Sequence, residues 1–438
     1  MLLPAVLKYS LINRFHTRLT PAKIKKMQLK KFRKLVKFIA IHSPYYQEVI
    51  KNNSIDIANC KPEDFPELTK EIVIAHFDEI VTDQRITKEA ITSFLAQSHN
   101  PLDRFLDTYY VIHTSGSSGV VGYFPYTQEE LIRGIVHFSR IKRATFKQKM
   151  AYIAATKGHF AGVTMVSVAK HLQPFYNDVL LLDINMPFSE IIAQLQKFQP
   201  TNLGGYAFAL RKIAEAQKEG KLSISPEIIQ TGGEPLSTGD KDFIEKILKA
   251  PVVNVYASSE HFIMGIGKDI YDGMYLMEDD LIFELHETYT CVTNLFNYTL
   301  PLIRYQMNDR LKEVVDSTHT LPFTKIANLV GRKEYVPVFI NDLGEEDFIS
   351  PILLAEFYAK NLTSFQFHLV NNHAFIFKAC LENGLNHESI ERTKKVISQQ
   401  LEAILNEKQM TRVKFTIEIV DHLWVDPKTG KFRLIVKK

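Results

Sequence analysis

The chain has 438 residues, of which 45% are hydrophobic, 23% charged and 11% aromatic. That length predicts two or three domains, and the composition excludes a disordered chain, a collagen-like fibre and a small disulfide scaffold. No stretch of the sequence approaches the roughly 18 uncharged apolar residues of a membrane span. The three cysteines, Cys60, Cys291 and Cys380, are widely spaced and form no CxxC pair, so we expect a protein of the reducing cytoplasm.

The net charge of +4 is unevenly distributed along the chain. Residues 1–47 contain 11 Lys or Arg and no Asp or Glu, whereas the remaining residues contain 42 basic and 49 acidic side chains. The protein is therefore a mildly acidic body with a basic N-terminal segment, which argues against nucleic-acid binding by the whole protein. Lys8 interrupts the apolar start of the chain and no small-residue cleavage site follows, so a signal peptide is not expected.

The basic segment predicts a helix. In KIKKMQLKKFRKLVKFIAIH the apolar residues recur at near-helical spacing with lysines between them, and Ser43-Pro44 should end the helix. We favour a helix that packs on the body with its lysines in solvent. The alternative is a surface that docks on a membrane or on an acidic partner.

Between residues 110 and 256, short β-type runs alternate with amphipathic helical stretches. In FSEIIAQLQKFQP the apolar residues have helical spacing and Pro200 closes the helix, and Ser237 is a candidate cap for a second helix. This alternation predicts a largely parallel sheet covered by helices, with ligands beyond the carboxyl ends of its strands. The predicted strands are Tyr110–His113, Ala151–Ala155, Val179–Asp183, Glu227–Gln230 and Val252–Tyr256.

A different pattern follows a break near Gly331-Arg332. The alternating runs SFQFHLV and HAFIFKA are joined by Asn371-Asn372, and a charged amphipathic helix over 387–405 and the strand VKFTIEIV come next. We therefore predict an α/β protein. Its large N-terminal domain, 1–331, has mixed or parallel sheets covered by helices, and a hinge joins it to a small, mobile α+β domain, 332–438.

Four polar motifs follow predicted strands. YVIHTSGSSGVVG supplies glycines and hydroxyls suited to a phosphate, but it is not a Walker A loop. TGGEPLS follows the strand EIIQ, YASSE follows VVNV, and CVTNLFNYTLPLIRYQMND brings Arg304 and Asp309 together. Taken singly, each also fits a structural interpretation: a flexible loop, a glutamate at a helix N-terminus, or a surface ion pair.

In their order and spacing, these motifs together with Gly-Arg and a late Thr-Gly-Lys resemble the adenylate-forming superfamily. That superfamily contains acyl- and aryl-CoA synthetases, peptide-synthetase adenylation domains and luciferases. The sequence most resembles the phenylacetate–coenzyme A ligase family and its capsule-biosynthesis-associated relatives. VTNLFNYTLPLIRY is the most diagnostic stretch, and the resemblance runs from about residue 30 to the end.

The resemblance implies roles for individual residues. Glu260 would bind Mg²⁺, with Thr114 as a second candidate ligand, and Asp309 would bind the ribose hydroxyls. Lys431 would assist adenylation from the mobile domain, Arg332 would lie at the domain junction, and the hinge would fall around Lys333–Glu334. The full ATP-binding set is Thr114, Ser115, Gly116, Ser117, Ser118 and Gly119 for the phosphates, Gly232, Gly233, Glu234 and Pro235 at the adenine pocket, Tyr256 beside adenine, and Ser258, Ser259 and Asp309.

The sequence also departs from the family pattern. Val120, Val121 and Tyr123 stand where the family has hydroxyl and cationic groups, and Ala257 and Gln306 replace a glycine and an arginine. The cysteine cluster that binds structural zinc in some relatives is missing from the sequence, so no zinc is expected.

The sequence therefore predicts a cytoplasmic ligase that uses ATP and Mg²⁺ to convert a carboxylic acid into an acyl-adenylate with release of pyrophosphate, and an aryl acid is one candidate substrate. The resemblance makes coenzyme A the first candidate acceptor and leaves open an acyl carrier protein, an amine and a homodimer. The alternative is a degenerate, non-catalytic relative that binds nucleotide or acyl-adenylate as a scaffold. The residues KGHFAGVTM (157–165) and Gly204-Gly205-Tyr206 are candidates for the acyl pocket, where Phe160 and Tyr206 could stack on an aromatic acid.

Overall fold

The structure is a computed structural model of the chain. It describes residues 2–114, 121–141, 148–172, 176–234, 236–317, 319–327, 336–350, 354, 357, 359–424 and 433–437.

Helices and strands alternate through the middle of the chain, as the sequence predicts. The helices are α1 (Leu2–His16), α2 (Pro21–His42), α3 (Pro44–Asn52), α4 (Lys70–Ala75), α5 (Phe77–Ile80), α6 (Lys88–Leu95), α7 (Gln128–Ile135), α8 (Ala161–Ala169), α9 (Phe188–Phe198), α10 (Ala207–Lys218), α11 (Thr238–Leu248) and α12 (His387–Glu407). The strands are β1 (Tyr109–His113), β2 (Tyr123–Thr127), β3 (Gln148–Ala154), β4 (Tyr176–Asp183), β5 (Asn202–Gly205), β6 (Ile228–Gly232), β7 (Val252–Ser258), β8 (Phe262–Lys268), β9 (Gly273–Leu276), β10 (Leu281–Leu285), β11 (Thr290–Asn294), β12 (Tyr305–Met307), β13 (Lys325–Ile326), β14 (Val338–Ile340), β15 (Glu346–Phe348), β16 (Leu362–Asn371), β17 (Ala374–Leu381), β18 (Lys414–Ile419) and β19 (Ile435–Lys437).

The central sheet has eight strands in the order β13-β9-β8-β7-β6-β5-β3-β4. The five strands from β4 to β7 are parallel, and β8, β9 and β13 extend the sheet in antiparallel fashion. Helices α9, α10 and α11 bury their apolar faces in one hydrophobic core with the parallel strands. This arrangement confirms the predicted α/β fold class and places the carboxyl ends of β5, β6 and β7 at one edge.

Local sequence signals account for the helix boundaries. The Ser237 hydroxyl caps α11 by accepting from the Asp240 backbone amide at 3.1 Å, as predicted. Helix α9 ends where Gln199 adopts a left-handed conformation before Pro200. Helix α2 ends at His42, and Pro44 begins α3 as its first helical residue.

Helix α2 packs on the body, as the favoured interpretation predicted. Phe32, Leu35, Val36 and Ile39 are buried along one face. Six of its lysines are exposed on the other faces: Lys23, Lys25, Lys26, Lys30, Lys34 and Lys37. Lys31 is half-buried and pairs with Asp280 at 2.9 Å, so part of the basic charge is neutralised by the body.

The predicted strand Tyr110–His113 forms, but it does not belong to the largely parallel sheet in which the sequence placed it. The run Tyr110–His113 forms β1, but β1 pairs antiparallel with β2 in a separate two-stranded sheet. Strands β10, β11 and β12 form a further antiparallel sheet. The carboxyl end of β1 still reaches the central sheet, because the Ser259 hydroxyl donates to the His113 carbonyl at 3.3 Å.

The C-terminal region forms the predicted α+β unit. Strands β16 and β17 make the hairpin, and β18 and β19 add parallel to its two sides, in the order β18-β17-β16-β19. Helix α12 packs its Ile397, Leu401 and Leu405 into the core of this sheet. The predicted boundary at residues 331 and 332, and the hinge at Lys333–Glu334, lie outside the described residues.

The C-terminal unit contacts the body next to α9. Lys408 is fully buried, pairs with Asp347 at 3.3 Å and donates to the Met186 carbonyl at 2.9 Å. The Asp347 carboxylate also accepts from the Phe188 backbone amide at 2.9 Å. A buried lysine and its carboxylate therefore bridge residues of the two predicted domains.

Within the part of the chain that the structure describes, no helix has the length and apolarity needed to cross a membrane.

Candidate functional site

A cavity of about 220 Å³ lies at the carboxyl ends of β5, β6 and β7. The strands are in parallel register there: Gly205 pairs with Thr231, and Gly232 pairs with Val255. The cavity is lined by His113, Phe138, Tyr152, Phe160, Ala161, Gly162, Met165, Tyr206, Gln230, Thr231, Gly232, Gly233, Val255, Ala257, Ser258 and Ser259. Four of the predicted ATP-binding residues, Gly232, Gly233, Ser258 and Ser259, therefore border one cavity together with the predicted acyl-pocket residues Phe160 and Tyr206. The described lining of this cavity does not include Glu234, Tyr256, Glu260 or Asp309.

Two glycines allow close packing at the carboxyl ends of β5 and β6. Gly205 has a φ of +157°, and a Cβ there would lie 2.7 Å from the Ile153 carbonyl oxygen. Gly233 has a φ of +79°, a conformation that side chains rarely adopt, and its missing Cβ would face the Tyr206 ring at 3.3 Å. The turn after β6 thus depends on the second glycine of TGGEP.

Glu234 is the acidic group of this turn. Its carboxylate accepts from the Phe208 backbone amide at 3.1 Å, at the start of α10. Burial raises the pKa of Glu234 to about 7, although that hydrogen bond opposes the shift. Near neutral pH this carboxyl therefore carries only part of its charge. Pro235, the next residue of the predicted set, lies outside the described residues.

Tyr256 and Asp309 are brought together by the fold. The Tyr256 hydroxyl donates to Asp309 Oδ2 at 2.8 Å, and the Asp309 carbonyl accepts from the Thr290 hydroxyl at 2.9 Å. Tyr256 is buried, and burial and the neighbouring carboxylate both raise its pKa well above the ordinary value. The phenol therefore stays protonated and orients the Asp309 carboxylate.

The structure describes no ion pair between Arg304 and Asp309. Arg304 instead makes a two-pronged contact with Glu284, at 2.9 and 2.8 Å, and pairs with Glu67 at 3.3 Å. Its Nη1 donates to the Phe65 carbonyl. Arg304 also adopts a left-handed backbone conformation, with a φ of +52°.

Glu260 is a buried carboxylate at the end of β7, with 8% of its surface exposed. Burial raises its pKa, and hydrogen bonds from its own amide and from Ser258 and the charge of Lys70 oppose the shift. Tyr305 also hydrogen-bonds to it, and burial together with Glu260 raises the pKa of that tyrosine. Burial therefore outweighs the groups that stabilise the charged form, and the Glu260 carboxylate offers oxygen donors of the kind that a hard divalent cation such as Mg²⁺ prefers.

The backbone of Glu260 is fixed by residues that the sequence analysis did not assign. The Tyr126 hydroxyl lies 2.8 Å from the Ser259 carbonyl and 2.7 Å from the Glu260 carbonyl. Asn294 Nδ2 lies 3.4 Å from the same Glu260 oxygen. Asn294 belongs to VTNLFNYTLPLIRY, so the diagnostic stretch was the signal that could have indicated this role.

The same stretch is held by α7. The buried Glu130 carboxylate accepts from the Tyr298 and Thr299 amides at 2.7 and 3.0 Å and from the Thr299 hydroxyl at 2.7 Å. Glu130 also closes a capping box with Thr127 at the start of α7. One buried carboxylate therefore ties the corner after β2 to the loop that supports Glu260.

Thr114 is described at the end of β1. Its hydroxyl accepts from the Gly122 amide at 2.8 Å, and its amide donates to the Gly122 carbonyl at 3.0 Å, so the two ends of the glycine-serine loop are paired. The rest of this loop, Ser115, Gly116, Ser117, Ser118 and Gly119, lies outside the described residues, as do Arg332 and Lys431. Ala257 lies at an irregularity in the pairing of β7 with β8.

No protein-family model matches the chain. The chain is similar to solved structures of 2-hydroxyisobutyryl-CoA ligase. A structure of that enzyme with 2-HIB-AMP and CoA in the thioesterification state is 15% identical, with a TM-score of 0.60, and covers 97% of this chain and 91% of that one. A structure of its open conformation, also with 2-HIB-AMP and CoA, is 15% identical, with a TM-score of 0.57, and covers 96% and 93%. The chain therefore has the fold of the adenylate-forming CoA ligases, as the motifs predicted.

Among proteins compared by sequence, the chain is similar to Protein CapK of Staphylococcus aureus. The two are 24% identical over an alignment of 335 positions that covers 70% of this chain and 67% of that protein. This similarity fits the expected resemblance to capsule-associated relatives. The resemblance to phenylacetate–coenzyme A ligases in particular stays a prediction.

Proposed function

We propose that this protein is an ATP-dependent adenylate-forming ligase. In the first half-reaction, a carboxylate oxygen of the substrate attacks the α-phosphorus of ATP, and the bond to the departing pyrophosphate breaks. In the second, the sulfur of coenzyme A attacks the acyl carbon and AMP leaves. The observation that carries the proposal is one cavity at the ends of β5, β6 and β7 that is bordered by Gly232 and Gly233 of TGGEP and by Ser258 and Ser259 of YASSE.

The arrangement suits a nucleotide beside an acyl group. Gly232 and Gly233 leave the turn after β6 open to a flat base, and Tyr256 holds Asp309, which we assign to the ribose hydroxyls. Glu260 would hold Mg²⁺, with Thr114 as a second candidate, and the cation would neutralise phosphate charge. Ser258 and Ser259 supply hydroxyls at the cavity wall. We assign Lys431 to the adenylation step and Arg332 to the domain junction.

The acyl end of the cavity is aromatic. Phe138, Tyr152, Phe160, Tyr206 and Met165 line it, and the described lining residues include no lysine, arginine or acid. A charged group at the far end of the substrate would be buried there without a partner, which is costly. We therefore assign a substrate whose only charged group is the reacting carboxylate. An aryl acid is the best candidate, because its ring could stack on Phe160 and Tyr206.

The structures of the neighbour ligase with 2-HIB-AMP and CoA support coenzyme A as the acceptor. An acyl carrier protein or an amine is the alternative acceptor. A cytoplasmic location and a homodimer stay predictions.

The test is carboxylate-dependent exchange of radiolabelled pyrophosphate into ATP over a panel of aryl and aliphatic acids. We expect exchange with at least one acid that has no charged group besides the reacting carboxylate. The exchange rate should fall at least about 100-fold in Glu260→Ala and in Lys431→Ala. Glu287→Ala and Lys437→Ala, which remove the same groups from exposed positions, are the matched controls. If no acid supports exchange, ATP binding should be measured by calorimetry. ATP binding without pyrophosphate release would then favour the non-catalytic scaffold over the ligase.

A further inference from the structure

The N-terminal helix α1 has apolar residues on two opposite faces. Its inner face packs on α7 and the turn that follows it: Tyr9 forms a small apolar cluster with Ile132 and Val136. The outer face carries Leu7, Leu11 and Phe15, which are 45%, 66% and 61% exposed. At intervals of four residues these three side chains lie along one side of the helix and span about 12 Å.

The outer face is also basic. Arg14 and Arg18 are exposed beside the apolar stripe, and Lys8 lies at its edge, 3.9 Å from the exposed carboxylate of Glu129. Helix α1 itself contains no acidic residue, and α2, the next helix, exposes six further lysines. Basic and apolar groups are thus interleaved on a surface of an otherwise acidic protein.

We propose that the outer face of α1 docks on the surface of an anionic lipid bilayer. Exposed leucine and phenylalanine side chains enter the boundary between headgroups and acyl chains, and arginine and lysine bind the anionic headgroups. The helix lies in the plane of the interface and does not cross the bilayer. The chemistry of this face therefore matches a lipid surface in both its apolar and its charged parts.

A second copy of the chain matches this face less well. A two-fold interface would place the same patch on itself, and the cations of one copy would meet those of the other with no carboxylate of α1 between them. An acidic protein would satisfy the charges, but the exposed Leu11 and Phe15 would each need an apolar partner. A bilayer with anionic headgroups supplies both groups at every point of its surface.

The experiment is co-sedimentation of the full-length protein with two kinds of vesicle: phosphatidylcholine alone, and phosphatidylcholine with about a third phosphatidylglycerol. We expect binding to the anionic vesicles that weakens as salt increases, and little binding to the neutral ones. The double variant Leu11→Ser/Phe15→Ser should lower the partition coefficient at least about tenfold. Arg14→Gln/Arg18→Gln should lower the partition coefficient about thirtyfold at low salt.

The control variant is Ile270→Ser, which removes a 68% exposed apolar side chain outside α1 and should bind the vesicles like wild type. Unchanged thermal melting of all variants shows that they are folded, since exposed positions contribute little to stability. Failure to sediment with anionic vesicles overturns the proposal, and so does equal binding by Leu11→Ser/Phe15→Ser. Self-association that this variant abolishes, measured by ultracentrifugation without lipid, would assign the face to a second copy instead.

Discussion

The buried carboxylate of Asp280 should be one of the groups on which the stability of the N-terminal region depends most. Asp280 is fully buried between β9 and β10. It pairs with Lys31 of α2 at 2.9 Å, with His137 at 3.3 Å and with Arg133 of α7. Burial alone would raise the pKa of Asp280, but Lys31 and Arg133 outweigh it and hold the pKa well below the ordinary value. The carboxylate is therefore ionised and compensated by cations on two different helices.

We predict that Asp280→Asn lowers the free energy of unfolding by about 3 kcal/mol at pH 7. Removing one partner of a buried ion pair costs about 3–5 kcal/mol because the other charge stays buried without compensation. We expect a value near 3 kcal/mol because the side chains of Lys31 and Arg133 remain 24% and 14% exposed to solvent. The amide side chain introduced at position 280 also keeps one oxygen that can accept a hydrogen bond. The loss should be measured by urea unfolding followed by circular dichroism, together with hydrogen exchange of the α1 and α2 amides.

The matched control is Asp269→Asn, which removes a carboxylate that is 56% exposed and pairs with Lys241. An exposed pair of this kind contributes at most about 1 kcal/mol. The folded pKa of Asp280 lies below its unfolded value, so its stabilisation is complete above about pH 4 and is lost as the pH falls through the folded pKa. The difference between the two variants should therefore shrink in acid. Equal unfolding free energies for Asp280→Asn and Asp269→Asn at pH 7 would refute the reasoning.

Three further predictions concern the site. Burial lowers the pKa of His261 to about 3. The free energy of unfolding of the wild type should therefore fall by about 1.4 kcal/mol per pH unit as the pH decreases below 6.5. In His261→Gln, the melting temperature should depend less steeply on pH over the same range. Burial raises the pKa of Glu234 to about 7, so ionisation of this carboxyl lowers the stability of the folded protein as the pH rises above 4.5. Glu234→Gln should therefore have a higher melting temperature than the wild type at pH 8 and the same melting temperature at pH 4. A lower melting temperature of the variant at pH 8 would contradict this. Tyr256→Phe removes the 2.8 Å bond to Asp309 and should raise the KM for ATP about five- to tenfold in the exchange assay, while an unchanged KM would separate Asp309 from nucleotide binding.

The sequence predicted those parts of the fold that rest on local signals. Helix α11 was placed from its cap at Ser237, α9 from the spacing of Ile191 and Leu195, and the C-terminal hairpin from two alternating runs around an Asn-Asn turn. Each of these signals lies within a few residues of the structure that it specifies. These predictions are confirmed because the tertiary contacts favour the same structure as the local sequence preferences.

Strand β5 was missed because its sequence resembles a turn. It reads NLGG, and the two glycines favour a loop on propensity alone. In the structure the strand is buried between β3 and β6, and its glycines are needed where the chain passes close to the Tyr152 ring and the Ile153 carbonyl. Tertiary packing therefore decides this element against its local preference.

The contacts within the site could be predicted only in part. The motifs indicated Glu260 and Asp309 as candidate site residues, because both belong to short patterns at strand ends. The partners that orient them lie far away in sequence: Tyr126 is 133 and 134 residues from the carbonyls it contacts, and Tyr256 is 53 residues from Asp309. Periodicity says nothing about such pairs, since it reports which face of an element is buried and not what that face meets.

The long-range contacts also determine how α1 could act as a docking element. A helix that binds a bilayer through its outer face holds the whole protein there only if its inner face is fixed to the body. His16 of α1 pairs with the buried Asp279 at 2.9 Å, and Arg140 binds the same carboxylate at 2.6 Å. Near the middle of the helix, Tyr9 donates to Glu129, and its ring lies 4.6 Å from the Arg133 guanidinium. Because Asp279 and Asp280 are consecutive, one buried network fixes both N-terminal helices, so a bilayer bound to α1 would meet the body in a single orientation.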